Sequence, residues 1–262
     1  MPDGVTAIGE SAFAYFASVT SVTLPSSVKT IGNSAFLRCV NLKSVTIPNG
    51  VTYIDDYAFE SCESLTSITI PDSVNGFGLA VFASCEKLES VSVGRDNPYF
   101  SSKSGVLFDK SETTLLLYPA GKTASSYKIP EGVTTIGDYA FQDGNLSSVT
   151  MPNSLKKIGE NAFDDCEKLT SVTLSDSIET IESHAFSGSG LTSVTLPNSM
   201  TRIPSYAFAY CKSLVSVTMP DGLKIIGNSA FQSCSILETV VIPDGVTEIE
   251  YMAFNSCASR SR

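Results

Sequence analysis

A phenylalanine that returns at nearly constant spacing restricts this chain to a repeat architecture. Phe13, Phe36, Phe59 and Phe82 stand 23 residues apart, and Phe141, Phe163, Phe186, Phe208, Phe231 and Phe254 continue at 22 or 23. Five residues before them stand Ile8, Ile31, Ile54, Phe77, Ile136, Ile158, Ile181, Ile203, Ile226 and Ile249. The residue preceding each Phe is Ala, except at Val81. A unit this short cannot bury its apolar face alone, so neighbouring units must stack.

The unit at 42–62 shows what each coil is built from. Leu42, Val45 and Ile47 are spaced for a short strand whose alternate side chains point inward. Pro48 ends it, having no N–H for a ladder bond. Val51 and Ile54 add two inward anchors. A Gly follows this Ile (Phe77 in one coil) in six coils (Gly9, Gly32, Gly78, Gly137, Gly159, Gly227). Asn33, Asp56, Asp138, Ser183, Ser205 and Asn228 come next, where a helix N-cap would stand. The pattern therefore predicts strand, turn and a helix of one or two turns carrying Ala, Phe and Cys on its buried side. About ten such coils at roughly 4.8 Å each make an α/β solenoid on the order of 50 Å long. It has one parallel sheet on a concave face and short helices opposite.

The run Leu-x-x-Val-Thr-Ile-Pro-x-x-Val-x-x-Ile-Gly-x-x-Ala-Phe-x-x-Cys is nearly intact at 42–62 and 214–234. It resembles the signature of the BspA-like (Treponema-type) leucine-rich repeats, and the resemblance spans essentially the whole chain. It implies a right-handed leucine-rich-repeat array. It also implies a secreted or surface location in bacteria or parasitic protists, adhesion to host matrix proteins or other cells, and no catalytic residues.

Charge narrows the partners. The net charge is −10, with 17 Lys and Arg against 27 Asp and Glu, so the clustered cations that a nucleic acid requires are missing. No apolar run approaches the length of a membrane span; Leu115-Leu116-Leu117 is only a short strand core. No signal peptide is legible. Met1-Pro2-Asp3-Gly4-Val5 matches the internal run Ile242-Pro243-Asp244-Gly245-Val246, and the chain stops before another strand. Both ends thus fall within a repeat, which reads as a fragment of a longer protein, with Ser259–Arg262 as a cloning scar. Uncapped coils also make end-to-end self-association an expectation. Cys39, Cys62, Cys85, Cys166, Cys211, Cys234 and Cys257 each lie three residues after the Phe. An odd count without a CxxC pair reads as buried free thiols rather than a disulfide or metal framework.

One coil is irregular. From Gly94 to Pro130 the spacing is 36, and the Ala-Phe signature is absent. Two apolar runs, Gly105–Phe108 and Thr114–Leu117, flank a polar turn and predict a β-hairpin. The chain reads as a single domain, 1–262, with N-terminal repeats at 1–94, the hairpin-containing coil at 95–130 and C-terminal repeats at 131–262.

No constellation for catalysis, cofactor or metal binding is found. The only histidine, His184, reads as an isolated surface side chain at a tolerant position. Asp55-Asp56 and Asp164-Asp165 read as helix-start charges, and Asn145-Leu146-Ser147 as an incidental sequon. The outward strand positions are where a partner is expected: Ser44, Thr46, Ser67, Thr69, Ser148, Thr150, Ser171, Thr173, Ser193, Thr195, Ser216 and Thr218. They form two hydroxyl ladders, which the structural reading has hydrogen-bonded along the sheet. The functional reading is a non-catalytic protein-binding or adhesion module that engages an extracellular-matrix or cell-surface protein. The alternatives are a structural spacer and a glycan-binding surface formed by the same ladders.

Overall fold

A computed structural model describes residues 1–257, so the expected scar at Ser259–Arg262 lies outside the described residues. The chain forms a β-solenoid of about 11 coils with a repeat near 23 residues. It divides into two compact units, Met1–Lys122 and Thr123–Arg262.

In the first unit each regular coil contributes two very short strands. Ser21–Thr23 pairs in parallel with Ser44–Thr46, and Ser67–Ile70 with Ser90–Val93. A second ladder runs Ala7–Ile8, Thr30–Ile31, Tyr53–Ile54, Gly76–Phe77, with Ile31 opposite Ile54. The second unit repeats the plan. Ser126–Lys128, Ser148–Thr150 and Ser171–Val172 form one ladder, and Ser193–Thr195, Ser216–Thr218 and Thr239–Val240 another. On its other side Thr135–Ile136, Lys157–Ile158 and Thr180–Ile181 pair in order, as do Arg202–Ile203, Ile225–Ile226 and Glu248–Ile249. The single parallel sheet expected from the sequence is thus replaced by short ladders on two sides of each coil.

The expected short helices do not form; among the described residues the Ala-Phe segment is a chain of turns. A helix needs every N–H to reach back four residues within its own segment. Here alternate N–H groups leave the coil: Ser34, Phe36 and Arg38 each donate to Asp56, Ala58 and Glu60 of the next coil at 2.8 Å. The groups between them close four-residue β-turns, Ala35 to Gly32 at 3.1 Å, Leu37 to Ser34 at 3.0 Å and Cys39 to Phe36 at 3.1 Å. The backbone cause is a left-handed residue on either side of each Phe. Ser34 and Arg38 have φ of 54° and 55°, and Tyr206 and Tyr210 have 57° and 59°. An L residue in that region costs about 1–2 kcal/mol. Each link to the next coil returns about 1 kcal/mol. Two of the residues read as N-caps link coils instead. Asp56 and Asp138 accept from the Leu79 and Glu160 N–H groups of the following coil, at 2.6 and 2.9 Å.

The core is a set of columns. Phe rings stack coil on coil, Phe36 on Phe59 at 5.2 Å and Phe163 on Phe186 at 5.1 Å, with planes within 1°. The cysteines are free, and all but the half-buried Cys257 are buried. Each thiol donates to the carbonyl of the preceding coil's Phe: Cys62 to Phe36 at 3.3 Å, Cys166 to Phe141 at 3.0 Å and Cys234 to Phe208 at 3.1 Å. Burial pushes the Cys62 and Cys166 thiols well above their ordinary range, so they stay protonated donors.

The irregular coil contains the antiparallel pair Val106–Asp109 and Thr114–Leu117. A third strand, Phe100–Lys103, pairs with Val106–Asp109 through Ser104 and Gly105, whose φ of 52° and 79° are those of a type I′ turn. Asn97, wholly buried, anchors this meander to the coil before it. Its amide donates to Pro71 O and Val74 O at 2.9 and 3.0 Å, and its oxygen accepts from the N–H groups of Tyr99 and Phe100 at 2.8 and 2.9 Å.

Candidate functional site

The outward hydroxyls are placed by strand alternation. In each Ser-Val-Thr strand the central residue points in, and Val149, Val194 and Val217 are buried, while the flanking Ser and Thr face away. Pairing is in register: Ser193 lies opposite Ser216 and Thr195 opposite Thr218 in one ladder, Ser148 opposite Ser171 in another. Ser44, Thr46, Ser67, Thr69, Thr150, Ser171, Thr173, Ser193, Thr195, Ser216 and Thr218 are exposed, and Ser148 is half-buried. Thr173 sits just past the end of its strand, Ser171–Val172. The ladder breaks between Ser44–Thr46 and Ser67–Ile70, so the face comes in segments.

The expected hydrogen bonds along the hydroxyl ladders are absent: among the described residues none of these side chains bonds to another protein group. The threonines one position earlier do find backbone acceptors, Thr170 at Ser147 O and Thr192 at Thr170 O, both at 3.3 Å. The strand face therefore offers its hydroxyls to solvent or to a partner.

Chemistry beyond hydrogen bonding is sparse. His184 is not isolated as the sequence suggested; its ring stacks on Tyr206 with centroids 4.6 Å apart, and burial lowers its pKa. Asp55 accepts from the Asp56 N–H at 2.9 Å, a turn contact. Asp164 is half-buried and its pKa is pushed up to about 6, by burial first and then by Asp165 and Asp143, against a hydrogen bond from Ser187. Among the described residues no group of three His, Cys, Asp or Glu side chains could hold a metal ion. Nor is any helix long and apolar enough to cross a membrane.

Two features escaped the sequence reading. One is the Asn97 anchor. The other is a hollow of about 320 Å³ next to the strand face, lined among others by Ser175, Asp176, Thr195 and Thr218. Its signal was present, since Ser175 stands where most other coils place Pro.

The BspA type leucine rich repeat region matches residues 1–111 and 125–260, in six copies. The chain belongs to this family. The stretch between the matched segments includes the last strand of the meander, Thr114–Leu117. Among solved structures this BspA-type chain is similar to a leucine-rich repeat protein from Eubacterium ventriosum. Identity is 27%, over 100% of this chain and 82% of that one, with a TM-score of 0.75. It is similar also to a leucine rich cell surface protein from Faecalibacterium prausnitzii, with 30% identity, 96% and 70% of the two chains covered and a TM-score of 0.78. A third is the pneumococcal vaccine antigen PcpA, 26% identical over 98% of this chain and 72% of that one, with a TM-score of 0.71. No curated protein matches. Leucine-rich repeats of this kind are in general scaffolds that mediate protein interactions rather than enzymes.

Proposed function

We infer that this BspA-type chain is a non-catalytic protein-binding module of a bacterial surface or secreted protein, and that it engages an extracellular-matrix or cell-surface protein through its Ser/Thr strand face. The observation that carries this reading is the row of exposed hydroxyls left without protein partners. A partner can satisfy them without displacing any intramolecular bond, so only water is exchanged. The surface location is supported by the Faecalibacterium prausnitzii relative, a cell surface protein, and by the pneumococcal antigen.

The test is binding to a panel of immobilised matrix and cell-surface proteins. Saturable binding is expected, and the variant carrying Thr150→Glu, Thr173→Glu and Thr195→Glu should weaken it at least tenfold. Three exposed substitutions of this type leave the core untouched, which circular dichroism checks. Binding that persists unchanged in the variant would move the contact elsewhere on the module. Absence of saturable binding across the panel would overturn the reading.

A further inference from the structure

In the second unit the strand of nearly every coil is closed by a proline: Pro130, Pro152, Pro197, Pro220 and Pro243. Ser175 alone interrupts that column. The backbone there still follows the proline course. Ile178 N–H donates to Ser175 O at 3.1 Å, as Leu155 N–H does to Pro152 O at 3.1 Å and Met200 N–H to Pro197 O at 3.0 Å. What is missing is the ring. A comparable gap in the first unit, at Gly94, is filled, since a Cβ there would lie 2.1 Å from the Asp72 carboxylate. At Ser175 the gap stays open as the hollow of about 320 Å³, within the range of small-ligand sites.

Its chemistry is uneven in a useful way. The floor is apolar, from Leu174, half-buried, and the buried Leu196 and Met219. The rim carries the hydroxyls of Thr195 and Thr218 and the carboxylate of Asp176, while the Ser175 hydroxyl is engaged by that of Ser177, which itself donates to Leu155 O. That carboxylate is held in place by Asn198, whose backbone N–H donates to Oδ1 at 2.8 Å and whose side-chain amide donates to Oδ2 at 3.2 Å. A carboxylate has about four acceptor positions, so two remain for a ligand. No cation lines the hollow, so an anion is unwelcome. An apolar floor beneath hydroxyls and a fixed acceptor suits a ring with one C–H face and several O–H donors.

We propose that the hollow beside Ser175 is a binding subsite for an uncharged pyranose unit of a glycan. Asp176 accepts two of its hydroxyl protons, Thr195 and Thr218 bond its outer oxygens, and its C–H face rests on Leu174 and Met219. The site does not depend on the protein-binding reading above.

The test is a titration of the isotopically labelled chain with methyl glucopyranoside, followed by amide chemical shifts. Saturating shifts confined to 173–176, 195–198 and 218–220 are expected at millimolar sugar, with glucuronate at least tenfold weaker. Ser175→Pro restores the column in a backbone already suited to it. It should abolish the shifts while leaving the rest of the spectrum unchanged. Should that variant misfold, Asp176→Asn serves instead: affinity for the neutral sugar should fall several-fold and the discrimination against glucuronate should disappear. No shifts at tens of millimolar would overturn the proposal. So would shifts unaffected by either substitution, or glucuronate binding as well as the neutral sugar. A chain that binds a matrix protein yet shows none of these shifts loses the sugar site alone.

Discussion

Asp164 shows how one side chain can work against its own fold. Its column, one residue after the Phe, holds Leu37, Ala83 and Ala209 in other coils, and a carboxylate there is half-desolvated. Its folded pKa of about 6 exceeds the ordinary 3.8. Between those two values the unfolded chain has lost the proton while the folded chain keeps it. Folding stability therefore falls as pH rises through this window, and above it the full penalty is present. Below both values the group contributes nothing. With the discount for partial exposure, the penalty at neutral pH is on the order of 1 kcal/mol. Asp164→Asn keeps the shape and an acceptor for Ser187. It should raise stability at pH 7 by about that amount and leave it unchanged near pH 3, read from urea unfolding at the two pH values. A variant no more stable than the parent at pH 7 would show that the carboxylate is adequately solvated.

At the scale of the element, the left-handed residues beside each Phe decide between helix and turn. That choice was hard to read in the sequence because the left-handed residue is the one after the expected N-cap, and its type changes from coil to coil. Tyr57, His184 and Met252 occupy the same backbone state and advertise nothing. Gly188, at φ 65°, is the one place where the residue type announces the conformation. The strand Phe100–Lys103 was missed because Ser101, Ser102 and Lys103 have little strand preference, although Ser104-Gly105 is a hairpin turn signal. Buried positions, by contrast, were plain, because Ile, Ala, Phe and Cys recur at fixed offsets and the columns they form need only that regularity. Ser233→Val tests the turn assignment. A β-branched side chain at φ 60° should lower stability by about 1–2 kcal/mol. Ser233→Gly should change it by less than about 1 kcal/mol, because relief of strain offsets the added freedom of the unfolded chain. Thermal unfolding of the two variants reads the difference, and a helix would order them the other way.

For the whole molecule, the sequence revealed what is repeated far better than what is not. Alternation placed the Ser/Thr face outward correctly, but an open hydroxyl row and a bonded one look alike in sequence, and only the structure separates them. The hollow beside Ser175 is a missing side chain, visible only against the column it interrupts. Charge acts at this scale too. With a net charge of −10 and no cationic cluster among the columns, the chain should pass through heparin and DNA columns at low salt. Retention there would reveal a local cationic surface that the residue columns do not contain.

The thiol column has a use that its packing role does not suggest. An S–H bond stretches in an infrared window where the rest of a protein is nearly silent, and its frequency drops as its hydrogen bond strengthens. Here seven of the ten Phe-bearing coils carry one such oscillator on the same kind of acceptor, a phenylalanine carbonyl one coil away. Replacing the cysteines singly with alanine would assign each band to its coil. The solenoid then carries its own strain gauges, which report coil by coil how the stack spreads or tightens when something grips it.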